Sequence, residues 1–257
     1  MSPCLSAAAL RRAVLLAAAL ACAALAPRPA AAIVGGHDET GPLARSALMV
    51  LSSRGGVCSG VVVAPDTVLT AAHCVTGASD YRVHFRGEDG QPVLLEPAGL
   101  AVHPGYDKGA IAGRRRSIDL ALVRLAAPLP ARFAPAVLTA ELGAAGGRVT
   151  FAGFGLARER EARSTGTFRS VDLAIVEPYG RSTILVWAKG APGAGACEGD
   201  SGGPVTAESG DVAALASWAS GAGRAGCGDI SQGVLLGPQR GWLDGVLAGW
   251  NRAAIWR

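Results

Sequence analysis

Between residues 47 and 219 the chain is broken into short apolar runs, each closed by a turn signal, and few architectures accept that pattern. The first block holds "ALMVLSS" (47–53), "GVVVAP" (60–65), "TVLTAAHC" (67–74), "YRVHF" (81–85), "LAVHP" (100–104) and "DLALVRL" (119–125). A Pro/Ala stretch over 126–138 interrupts the series and reads as a linker. The second block holds "GRVTFAGFG" (147–155), "FRSVDLAIV" (168–176), "TILVWA" (183–188), "GPVTA" (203–207) and "VAALASWA" (212–219). Runs of this length, bounded by Gly, Pro and Asp, read as strands. No internal repeat is visible. Two blocks of similar length, each with many short strands, predict an all-β chain of two β-barrels or sandwiches. Trp242, Leu243, Val246, Leu247 and Trp250 then fall at helical spacing. They predict a C-terminal helix that docks its apolar face on the body.

The first 32 residues are of another kind. Arg11 and Arg12 precede "AVLLAAALACAALA" and then "PRPAAA". A basic start, an apolar middle and a small-residue end read as a secretory signal. The uncharged run from Ala13 to Pro27 is short for a membrane span, and "ALA" before Cys22 lacks the leading leucine of a lipoprotein site. The expected division is therefore 1–32 signal peptide, 33–138 N-terminal barrel and linker, and 139–257 C-terminal barrel with the helix. The product is expected outside the cytoplasm, extracellular or periplasmic, with no membrane attachment after signal removal. Of 24 basic and 20 acidic residues, Arg11, Arg12 and Arg28 leave with the signal, so 21 face 20. That near-neutral balance, with no basic helix interleaved with aromatics, argues against a nucleic-acid partner. Cys4 and Cys22 also leave, and Cys58, Cys74, Cys197 and Cys227 remain. Four cysteines allow three pairings, and export favours disulfides over thiols. With no CxxC pair the zinc reading is weak.

Three segments carry chemistry. In "LTAAHCV" small residues precede His73 and a cysteine follows it. A Cys58–Cys74 bridge would pin a hairpin and fix the turn that holds this imidazole, a side chain suited to general-base work near neutral pH. In "SIDLALVRL" Asp119 opens an apolar strand; a carboxylate buried there needs a partner such as an imidazole N–H. In "GACEGDSGGPV" Ser201 is hemmed by Gly199, Gly202 and Gly203, which let backbone N–H groups crowd a hydroxyl.

Together with "IVGG" (33–36), these segments resemble, in order and approximate spacing, the trypsin/chymotrypsin-like serine proteases. "SWA" (217–219), "QGV" (232–234) and the terminal helix extend the likeness over residues 33–257. The resemblance implies an all-β fold of two antiparallel Greek-key β-barrels packed together with a C-terminal helix, and a secreted serine endopeptidase that works through an acyl-enzyme. Ser201 would be the nucleophile, His73 its base and Asp119 the residue orienting the imidazole. The N–H groups of Gly199 and Ser201 would form the oxyanion hole, and Ser217 would support Asp119. The freed amine of Ile33 would pair with Asp200 and so switch the site on. "AAA" (30–32) abuts Ile33 with no Arg or Lys before it, so signal removal itself is expected to create that terminus; the alternative is cleavage near Ala26, which leaves a "PRPAAA" extension from Pro27 for another protease.

The resemblance also places the primary pocket. Gly195 would lie at its floor, where trypsin-like members carry aspartate, so the acid that binds Lys or Arg is missing. Ser217, Trp218, Ala219 and Gly233 would form its walls, Glu198 would sit at its mouth, and Cys197–Cys227 would tie the walls together. An uncharged, small or medium apolar P1 residue is expected, with a bulky aromatic as runner-up and Asp229 as a remote route to basic specificity. "GRRR" (113–116) reads as an exposed loop open to nicking. Glu88 and Asp89 lie where some relatives hold calcium; in a Gly-rich turn they read as turn residues. No cofactor or metal is expected. The expected partners are protein or peptide substrates and protein inhibitors, and the expected state is a monomer. The rival reading is a catalytically silent binding protein on the same scaffold. Such proteins lack a catalytic residue, whereas every catalytic position is filled here.

Overall fold

The computed structural model describes residues 33–77, 80–113 and 115–257; the signal-peptide reading lies outside them. Strands are numbered in chain order. β1 (His37–Asp38) comes first and pairs with the second sheet. The first sheet is built from β2 (Ala47–Ser52), β3 (Val57–Ala64), β4 (Thr67–Thr70), β5 (Tyr81–Arg86), β6 (Pro92–Leu95), β7 (Pro97–Val102) and β8 (Ala121–Leu125). Its order is β6-β5-β2-β3-β4-β8-β7, antiparallel throughout. The second contains β9 (Val137–Leu138), β10 (Arg148–Gly153), β11 (Arg169–Val176), β12 (Leu185–Lys189), β13 (Pro204–Thr206), β14 (Val212–Ser220), β15 (Ile230–Leu235) and β16 (Ile255–Trp256). There β10-β11-β12-β15-β14-β13 closes on itself, because β13 pairs with both β14 and β10. These are the two antiparallel barrels. Only the short β9 contacts with β14 and β16 are parallel among the described residues.

Side-chain alternation decides what each strand feeds. In β3, Val62 points into the first barrel with Leu48, Val50, Val68 and Val123, while Val61 and Val63 point into the seam with Leu69, Leu122, Leu215 and Val234. Successive residues of a strand face opposite sides, so an unbroken run of valines is the composition of a strand buried on both faces. The second barrel encloses Val149, Phe151, Val171, Leu173, Val186 and Val205.

Several expectations meet local physics. The run 67–74 is strand only to Thr70; Ala72–Val75 form a single helical turn, α1. Alanines 71 and 72 are fully buried and small enough to coil there, and Thr76 Oγ1 closes the turn on the Ala72 carbonyl at 2.8 Å. A second single turn, α2, covers Ala110–Gly113. β8 starts at Ala121 rather than at Asp119, whose carboxylate is drawn to His73. The stretch 126–138 is not slack: Leu129, Ala134 and Ala136 N–H groups bond to Pro65, Arg45 and Val62 carbonyls. β6 escapes a sequence reading because it is four residues long and half-exposed. The helix α3 (Arg240–Gly249) buries Leu243 and Leu247 in the seam. Just beyond it Arg252 grips Asp66 with two hydrogen bonds of 2.7 Å, tying the tail to the first barrel.

Candidate active site

The cleft between the barrels receives side chains from both. His73 sits on α1, and a disulfide from Cys74 to Cys58 on β3, with Cα atoms 6.1 Å apart, anchors that turn. Asp119 reaches it from the segment before β8. The His73 backbone N–H donates to Asp119 Oδ1 at 2.9 Å, and its Nδ1 lies 2.6 Å from Oδ2. A carboxylate only accepts, so Nδ1 carries the proton and Nε2 is left as the basic nitrogen. Nε2 has no hydrogen-bond partner among the described residues. From the second barrel, Ser217 Oγ donates to Asp119 Oδ2 at 2.6 Å. Burial raises the Asp119 pKa, yet the His73 and Ser217 hydrogen bonds outweigh it and hold this acid below its ordinary value. Burial depresses His73, but the hydrogen bond and charge of Asp119 leave its pKa raised.

Ser201 approaches from the other side. Its carbonyl accepts the Ser59 N–H at 2.8 Å and lies 3.8 Å from Cys74 Sγ, so the residue is pinned beside α1. Its Oγ donates to the Ser217 carbonyl at 3.4 Å, a long bond, and not to the imidazole. Catalytic hydrogen bonds in substrate-free sites are often loose and tighten with substrate. Ser217 is thus a shared post, its hydroxyl on Asp119 and its carbonyl on Ser201.

The loop before Ser201 is aimed by its carbonyls. The Glu198 carbonyl is held by the Leu156 N–H and the Asp200 carbonyl by the Gly203 N–H, each at 2.8 Å. A trans peptide points its N–H opposite to its carbonyl, so the Gly199 and Ser201 N–H groups face away from these clamps. Neither donates to a protein acceptor among the described residues. The glycines have a steric reason. Gly199 has φ +99°, and a Cβ on it would come 2.6 Å from Gly155 Cα. Gly202 has φ +82°, and a Cβ there would meet the Ser59 carbonyl at 2.2 Å. Ser59, fully buried, stitches the barrels from below: Oγ donates to the Gly199 carbonyl and accepts the Phe154 N–H, both at 2.9 Å. Nothing in the sequence marked Ser59 for this task.

Asp200 is fully buried. The Gly155 and Cys197 N–H groups each donate to its carboxylate at 2.8 Å. Burial still pushes its pKa up to about 7 against those bonds and the charge of Arg169. Ile33 is also fully buried, packed in the second barrel core, and Val34 bridges Gly195. In the continuous chain Ile33 has φ +50°.

A cavity of about 340 Å³ opens beside Ser201. Glu198, Ser217, Trp218, Ala219 and the Cys197–Cys227 disulfide line it, as do Leu156, Glu159 and Arg160 from the β10–β11 loop. Gly195 and Gly233, expected as floor and wall, do not line it. The reason is register. In β14 Ala216 pairs with Gly233, and beyond the bulge that follows Ala216 the cavity wall residue Ala219 pairs with Ser231. Gly233 therefore packs in the barrel against the Leu215 carbonyl, and Ser231 comes under Gly195. Ser231 Oγ accepts the Ala196 N–H at 2.9 Å there. Asp229 is engaged by Lys189 Nζ at 2.7 Å. Glu159 Oε1 accepts the Gly226 N–H at 2.8 Å, lacing the mouth of the cavity. Among the described residues, Cys58, His73 and Cys74 cluster like metal ligands, but the two sulfurs are spent on each other.

The family model described as "Trypsin" matches residues 33–235. The chain belongs to the trypsin family. Human kallikrein-15 is 30% identical over 70% of this chain and 78% of its own length. Brachyurin of Leptuca pugilator is 31% identical over 58% of this chain and 70% of its own. Granzyme M of Rattus norvegicus is 27% identical over 86% and 91%. The solved structure of neuropsin, a serine protease of mouse brain, shares the fold at TM-score 0.68 and 23% identity, covering 83% of this chain and 99% of that one. The trypsin-family chain is a serine endopeptidase acting on proteins or peptides.

Proposed function

We propose that this endopeptidase cleaves peptide bonds through Ser201, with His73 as general base and Asp119 holding the imidazole. Ser201 Oγ attacks the carbonyl carbon while His73 Nε2 takes its proton. The same nitrogen returns that proton to the leaving amine, and water then hydrolyses the acyl-enzyme. The N–H groups of Gly199 and Ser201 receive the oxyanion. The observation that carries this reading is the pair of unspent N–H donors beside Ser201, backed by the Asp119–His73 hydrogen bond. Labelling with an active-serine phosphonate tests it: wild type is modified at Ser201, Ser201→Ala is not, and an unlabelled wild type would sink the reading.

The pocket favours an uncharged, small or medium apolar P1 side chain. The Gly195–Ser231 site beyond the cavity lining brings no carboxylate, Glu198 lies at the mouth, Glu159 is held by the Gly226 N–H, and Asp229 is occupied by Lys189. On a chromogenic peptide panel we expect P1 Ala or Val to lead and Arg to trail; turnover confined to Arg would overturn this.

Cleavage before Ile33 would activate the enzyme by delivering an ammonium to Asp200. Support comes from Ile33 itself, a β-branched residue at φ +50°. Such a conformation costs about 1–3 kcal/mol, and breaking the bond before residue 33 removes the φ constraint. Signal peptidase acting after "AAA" would suffice, and the product would be secreted as a monomer of two barrels joined near residue 138. N-terminal sequencing of fully active protein should read Ile-Val-Gly-Gly; a start at Pro27 would refute both the route and the switch.

A further inference from the structure

Apart from the cleft at Ser201, a larger groove of about 540 Å³ crosses the junction of the barrels. Its apolar walls come from β2, β5 and the segments around Phe133, Phe154 and Phe168. Two ring pairs form them: Phe85 with Phe133, and Phe154 with Phe168, each 5.0 Å between centroids. Arg45, Arg86 and Arg132 also line it, and no Asp or Glu does. The Arg132 guanidinium lies 5.0 Å from the Phe85 centroid and 4.9 Å from that of Phe133. The three arginines are braced in series: Arg45 donates to the Arg132 carbonyl, Arg132 to the Arg86 carbonyl and Arg86 to the Gly90 carbonyl. Each spends one of its five N–H donors this way, and none has a carboxylate partner among the described residues. Many other arginines do, among them Arg82, Arg115, Arg158, Arg240 and Arg252.

We propose that this groove binds a small amphipathic anion, an aliphatic or aromatic body bearing one carboxylate or sulfonate. Apolar clefts of 300–1,000 Å³ with a few convergent polar groups are the usual form of small-molecule sites. Three like charges held together without counter-charge around aromatic walls call for an acid whose body is apolar. A peptide is a poorer occupant. β2 lies between β3 and β5, and β5 between β2 and β6, so both lining strands have their edges paired. No main-chain ladder is left for a peptide to extend.

Titration calorimetry with laurate below its micelle concentration tests this, with dodecyltrimethylammonium as the same tail bearing the opposite charge. One laurate per chain should bind, and the cation should not. Arg132→Gln and Arg45→Gln should each weaken laurate about tenfold or more, the usual worth of a hydrogen bond to a charged group. Arg132→Lys should stay within a few-fold, and peptidase activity of all three variants should match wild type, which certifies their folding. Four results would each overturn the proposal: no laurate binding, equal binding of the cation, laurate affinity unmoved by both Gln variants, or an acidic aromatic peptide that displaces laurate and binds tighter.

Discussion

Asp119 is the residue on which the site turns. It is nearly buried, and His73 contributes two hydrogen bonds to it and Ser217 one. Removing the Ser217 hydroxyl leaves a buried carboxylate short of a donor. Ser217→Ala should lower kcat/KM about tenfold, the scale of one charge-assisted hydrogen bond, with KM little moved; steady-state kinetics checks this. Gly199→Ala forces a Cβ against Gly155 and should cost about 100-fold in kcat, as loss of one oxyanion donor does. Asp200 makes a pH prediction. Its folded pKa of about 7 lies above the ordinary carboxylate value, so the folded state keeps a proton that the unfolded chain releases. Stability of the uncut chain should therefore fall as pH rises from about 4 through 7. Melting temperatures at pH 5 and 8 should show that decline, and Asp200→Asn should flatten it. That Asp119 meets His73 was an expectation the sequence could raise because His, Asp and Ser each stand in a short local motif. Ser59, Glu159 and Ser231 were not readable, since each acts on a chain neighbour set only by register or loop path. The misplacement of Gly233 has that cause: the pairing of β14 with β15 sets Ser231, and not Gly233, opposite Ala219.

Among the elements, strands were legible where apolar runs were long and punctuated, as in β3, β8 and β11. The single turn α1 was not, because four residues show no period. The tail helix was legible from five apolar residues at helical spacing, and its energetics can be checked. Leu247→Ala opens a cavity in the seam between barrels and should cost about 2–5 kcal/mol in denaturant unfolding. The ion pair beyond it, Arg252 with Asp66, spans 186 positions of sequence. The Arg252 hydrogen bonds keep the Asp66 pKa below its ordinary value although burial opposes them. Its stabilisation is therefore present above the unfolded carboxylate pKa and is lost as pH falls through the folded one. Arg252→Ala should lower stability modestly near neutral pH in denaturant unfolding, because the guanidinium is exposed and solvent screens the pair. The difference from wild type should vanish in strong acid.

At the scale of the molecule, the proposed mechanism depends on two barrels meeting. The first carries His73 and Asp119 to the cleft; the second carries Ser201, Ser217 and the Gly199 loop. Seam residues such as Val61, Val63, Leu122 and Leu215 keep the halves in register. Two barrels were expected from the two blocks of strands; the stitching by Ser59 and by the 126–138 segment was not, because the partners of the Ser59 hydroxyl and of that segment are backbone groups that any residue carries. A site assembled from both halves should fail as a unit. The decisive measurement is kcat/KM on a good peptide substrate for His73→Ala, Ser201→Ala and the double variant. Each single change should cost several orders of magnitude, and the double variant should be no worse than either alone. Losses that multiply in the double variant would mean that the imidazole and the hydroxyl act independently.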